Sequence, residues 1–115
     1  MFVAGKWHTL ALPAAAPGTT RADALDVAVL EREVLAPLLK IGDIRTDARV
    51  DFVGGGRGTA ELERRVTRGD AAVAFSLYPV TIDDLMAIAD AGGIMPPKST
   101  WFEPKLRDGL LVHLI

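Results

Sequence analysis

The stretch from Ile94 to Lys105 gathers the densest set of anion-compatible donors in the chain: Lys98, Ser99, Thr100 and Lys105. Two ammonium groups and two hydroxyls suit a carboxylate or a phosphate as point contacts, without the forked geometry an arginine provides. Pro96, Pro97 and Pro104 stiffen the same stretch, because each ring fixes φ and removes a backbone donor. A purely structural role fits these residues too, with Pro96-Pro97 as a rigid crossover anchored by Trp101 and Phe102. The two roles are compatible.

A second candidate is Gly54-Gly55-Gly56-Arg57-Gly58-Thr59. It falls between an expected strand and an expected helix N-terminus, where phosphate-binding loops sit. Backbone N–H groups freed of side chains could cradle an anion, with Arg57 adding a charge and Thr59 a hydroxyl. The pattern departs from both phosphate-loop fingerprints. It has no Gly-Lys-Ser/Thr, and Gly54-x-Gly56-x-x-Thr59 lacks the third glycine of the dinucleotide motif. The alternative is a flexible turn between strand and helix.

Acid–base material is thin, and no residue is assigned a catalytic role. His8 and His113 lie on expected strands near the chain ends, with no acidic neighbour in sequence. Asp83 and Asp84 read as first-turn helix acids rather than a carboxylate pair. Ser76 and Ser99 lack the nucleophile-elbow context. Two histidines and no cysteine argue against a zinc site and exclude thiol chemistry and disulfides. No metal and no cofactor is expected.

The elements that must carry these loops are those of one domain. A chain of 115 residues buries roughly 65% of its extended surface on folding, so no staple is required. A net charge of −2 supplies no electrostatic reason to expect nucleic acid or an anionic membrane. No apolar run approaches a membrane span of about 20 residues, and Met1 to Lys6 lacks the layout of a signal peptide. The expected location is cytoplasmic.

Phe2-Val3-Ala4 and Trp7 to Leu12 read as a hairpin turning at Gly5. The first arm is the shorter, which suggests a fragment of a longer protein. Residues 13–22 read as a loop. Asp23 or Asp26 is placed to cap a first helix that runs to Leu35, kinks or ends at Pro37 and closes at Gly42. Val27, Leu30, Val34, Leu35 and Leu38 follow helical spacing. Two strand–helix units come next. One runs from strand 48–53 to a helix over 59–68 that stops at Gly69. The other runs from strand 71–77 to a helix over 81–91, opened by a Thr81-x-x-Asp84 capping box and stopped at Gly92-Gly93. Strand 71–77 is apolar on both faces, as a covered central strand would be, and the spacing implies a parallel crossover. Asp108-Gly109 signals a turn into a terminal strand over 110–115. The expected fold class is α+β or α/β, a single-layer mixed β-sheet with three helices in the order β-β-α-β-α-β-α-β-β.

Met95-Pro96-Pro97-Lys98-Ser99-Thr100-Trp101-Phe102-Glu103-Pro104-Lys105-Leu106, followed by Asp108-Gly109-Leu110, closely resembles the ending of the bacterial and archaeal domain-of-unknown-function family 1015. Three other stretches are similar to the C-terminal part of the same family: Gly5-Lys6-Trp7, Leu25 to Ile41 through Pro37, and Asp70 to Phe75. Trp101 and Glu103 depart from the family's usual tyrosines, and Arg107-Asp108 from its usual residues before Gly109. The resemblance implies a C-terminal fragment of a longer protein whose separate N-terminal part supplies a partner. It implies no activity, since none is established for the family. The residues themselves point to a small anionic ligand, with a structural or oligomerising module, such as a homodimer, as the alternative.

Overall fold

The computed structural model describes residues 1–100. Among them the chain is α+β, with three helices and a two-stranded antiparallel sheet. Strand β1, Phe2–Val3, pairs with β2, Lys6–Trp7, in the register Phe2 to Trp7 and Val3 to Lys6. Ala4 and Gly5 make the turn with φ of 50° and 75°, the paired positive φ of a tight hairpin whose twist matches its strands. The sequence predicts a second arm reaching Leu12. The ladder instead ends at Trp7, with His8 adding a 2.8 Å bond from its N–H to the Met1 carbonyl.

Helix α1 spans Asp26–Leu30 and continues as a π-helical turn, Glu31–Leu35. Pro37 has no N–H for the Glu33 carbonyl, and its ring crowds that oxygen. The turn before it widens, and the Ala36 N–H reaches the Glu31 carbonyl at 2.9 Å. A π turn holds an extra residue and rotates the chain beyond it. Leu38, placed on the core face by helical spacing, is exposed for this reason. Neither aspartate caps α1. Leu25 occupies the cap position without a side-chain bond, and Asp23 is engaged with the Thr20 hydroxyl at 2.7 Å. The turn after this helix closes at Lys40, whose φ is +56°, rather than at Gly42.

Residues 48–53, expected as a strand, carry no ladder among the described residues. The cause is local. Asp43 and Asp47 each bond the backbone N–H two residues on, Arg45 at 2.9 Å and Arg49 at 3.0 Å, and side chains that do this build turns. Residues 71–77 supply a single antiparallel bridge, Ala74 to Phe2. Ala72, Ser76 and Leu77 are exposed, so this segment is not covered on both faces. No parallel pair occurs among the described residues.

Helix α2, Gly58–Thr67, stops as expected at Gly69, with φ of +81°. The Asp70 N–H bonds the Arg65 carbonyl and the Gly69 N–H bonds Val66, which satisfies the last carbonyls. Helix α3, Ile82–Asp90, opens with the complete capping box: the Thr81 hydroxyl accepts from the Asp84 N–H, and Asp84 accepts from the Thr81 N–H, both at 3.1 Å. It ends on Gly92 and Gly93 by the same device as α2. Among the described residues the buried side chains are Phe2, Leu25, Val29, Leu30, Ile41, Ile44 and Ile88. The hairpin is fastened to α2 by the Trp7 indole, which donates to Glu63 at 2.7 Å, and Trp7 lies 5.2 Å from the Phe2 ring. None of the helices among the described residues is long and apolar enough to cross a membrane.

Candidate functional site

The glycine-rich loop enters α2 through a 3-10 turn, Gly55–Arg57. The Arg57 N–H bonds the Gly54 carbonyl at 3.0 Å. Gly58 then takes φ 61° and ψ −168°, a region that only glycine occupies readily. No side chain caps α2, so the positive end of its dipole and its first-turn donors face outward. Gly55, Gly56, Arg57 and Thr59 are exposed and Gly54 is half-buried. A Cβ built on Gly55, Gly56 or Gly58 would meet nothing within 4 Å, so the face of the loop is open.

The arginines sort themselves by partner. Among the described residues every arginine but one pairs with a carboxylate. The exception is Arg57, which stands at the mouth of the uncapped helix. Its guanidinium and the helix donors together offer an anion both charge and directed N–H groups.

The proline-rich stretch forms a four-residue turn, Pro96 to Ser99, with the Ser99 N–H bonding the Pro96 carbonyl at 3.3 Å. Lys98 holds φ of +56°, an uncommon conformation for a residue with a Cβ. The Ser99 hydroxyl donates to the Pro96 carbonyl at 2.6 Å, so its proton is already committed and its oxygen is left as an acceptor. Lys98 and Thr100 are exposed and remain as donors. Lys105, Trp101, Phe102, His113 and the expected terminal strand lie outside the described residues. Among the described residues, no hydrogen bond or ion pair links this turn to the glycine-rich loop.

Sequence reasoning missed a network behind the loop. Arg65 donates to Asp51 Oδ2 and, at 2.8 Å, to Glu61 Oε1, while Arg64 donates twice more to Glu61. The hydrogen bonds from Arg65, then Arg64, pull the Glu61 carboxyl down to about 2 from its ordinary 4.5. Arg65 chiefly, helped by the Phe52 N–H, lowers Asp51 as well. The Glu61–Arg65 pair is visible as i,i+4 spacing. Asp51 is not, because only the fold brings it to α2. A separate open groove of about 590 Å³ lies beside the π turn, lined by Arg32, Glu33, Asp23 and residues of the 13–20 loop.

The fold and the loop define a small α+β domain with an outward-facing, cationic helix entrance. No family model, no curated protein and no solved structure matches this chain.

Proposed function

We propose that this domain binds a small anion, a phosphate or a carboxylate, at the glycine-rich loop. The observation that carries the reading is the uncapped start of α2 with Arg57 beside it, the one arginine among the described residues without a carboxylate. Gly54, Gly55 and Gly56 supply backbone room, Arg57 the charge and Thr59 a hydroxyl. Lys98 and Thr100 form a second cationic turn of the same chemistry, to which Ser99 adds no hydroxyl donor because its proton is spent on the Pro96 carbonyl. The resemblance to family 1015 supports placing the domain in a longer protein; its cytoplasmic location and its part as the accessory half of an enzyme belong to the proposal and draw nothing from that family. In the finer fold that goes with this reading, segments 48–53 and 71–77 belong to a mixed sheet in the assembled protein.

The experiment is an NMR titration of the chain with phosphate, sulfate and nucleotides. Shifts at the Gly55, Gly58 and Thr59 amides, lost in Arg57→Ala, are the expected result. The absence of any shift at millimolar anion sinks the reading.

A second reading, a structural or oligomerising module, draws on a different observation. Tyr78, Ile82 and Ile94 are 86%, 75% and 87% exposed, and Ile82 shares one face of α3 with the exposed Met86 four residues on, an apolar face of the kind a partner covers. Its partners are the N-terminal part of the same protein or a second copy. Light scattering tests it.

A further inference from the structure

We propose that Arg65 is the positioning residue of the glycine-rich loop, holding the segment that enters the loop, through Asp51, against the helix that leaves it, through Glu61. The inference rests on the anion-binding reading of that loop. Arg65 sits one helical turn beyond Glu61 and reaches Asp51 across the base of the loop. Its side chain is 26% exposed, the lowest value among the paired arginines, so its guanidinium is the best shielded of them from competing water. The second Asp51 oxygen accepts the Phe52 N–H at 2.7 Å, which orients the carboxylate from the backbone two residues before the loop. Between these anchors, the hydrogen bonds of residues 54–58 among the described residues are short backbone turns, from Arg57 to Gly54 and from Gly58 to Gly55. A built Cβ at Gly55, Gly56 or Gly58 finds no neighbour, so the outer part of the loop is open. The Asp51–Arg65 ion pair spans its base, with Glu61 fixing the guanidinium from within α2. An anion that needs Arg57 and the first-turn donors together binds more tightly if they are already in place, since binding then orders fewer groups.

The test uses the full chain, with Asp51→Asn and Arg65→Lys beside wild type. Asp51 is 73% exposed, so its change to asparagine leaves the fold intact. Lysine keeps the charge of Arg65 but cannot bridge two carboxylates with one rigid fork. Amide hydrogen exchange at Arg57 and Gly58, whose N–H groups close the two turns of the loop, reads the order of the loop, and sulfate titration reads the site. Both variants are expected to speed exchange at these two amides, by up to about fivefold, the upper end for a largely exposed ion pair, with α3 amides unchanged. Sulfate affinity falls by the same factor in each. Arg57→Ala removes sulfate binding and leaves loop exchange as it was. Unchanged exchange in both variants overturns the proposal, and so does faster exchange with unaltered sulfate affinity. If wild type binds no sulfate while exchange still rises in both variants, the anion-binding reading fails and Arg65 stands as the residue that orders the loop.

Discussion

Gly58 turns the chain into α2 with φ 61° and ψ −168°, and a side chain there costs about 1–3 kcal/mol in backbone strain. Gly55 and Gly56 have no positive φ, and at all three positions a Cβ would enter open space. Any difference between them is therefore one of backbone conformation alone. Gly58→Ala is expected to lower stability in urea denaturation by about 1–3 kcal/mol. Gly55→Ala should be neutral or stabilise by up to about 1 kcal/mol, through the smaller entropy of its unfolded chain. Equal losses at both sites would mean that φ is not what makes Gly58 necessary. Residue types alone marked the glycine run as a candidate, but spacing could not say which glycine the backbone needs. The same holds for Ser99: its hydroxyl looked like a donor for a ligand, and the turn uses it on the Pro96 carbonyl.

Elements were legible where the determining groups lie within a few residues of each other. The Ala4-Gly5 turn, the Thr81 and Asp84 capping box and the glycine stops of α2 and α3 all belong to this kind. Strands 48–53 and 71–77 were not, because a strand is defined by a partner far away in sequence. The two Asp-x-Arg turns meanwhile divert the backbone at 43–49 with their own carboxylates. The ties that Asp51 and Glu61 make to α2 give this element a pH signature. Both carboxyls are lowered by Arg65, Glu61 to about 2. A depressed carboxyl stabilises the fold above its ordinary range, and that stability is lost as pH falls through the folded value. Protection of α2 amides should hold from neutral pH to about 5 and decline as pH drops from about 4 towards 2. These groups are in contact with solvent, so the decline is small and salt near 0.5 M should flatten it, the Debye length there being only about 4 Å. A profile at low salt that stays level down to pH 2 would contradict the role assigned to Arg65.

At the scale of the molecule, the buried apolar side chains come from the hairpin, α1, the 41–44 turn and α3, while several large ones stay outside. Ile82 and Met86 lie four apart on α3 and so share one face of it, with Tyr78 before the helix and Ile94 after it, all exposed. Helical periodicity made Ile82 and Met86 indistinguishable from core positions. Nothing local in the sequence separates an apolar face that meets its own domain from one that meets another surface. Aspartate at both positions removes apolar contact area and adds charge without emptying the core, since both side chains are already largely in water. If this face associates with a second copy, light scattering on wild type should give a mass that rises above 12.3 kDa with concentration. Ile82→Asp with Met86→Asp should then return the monomer mass at every concentration, with an unfolding midpoint close to wild type. A wild-type mass that stays at the monomer value throughout removes the homodimer.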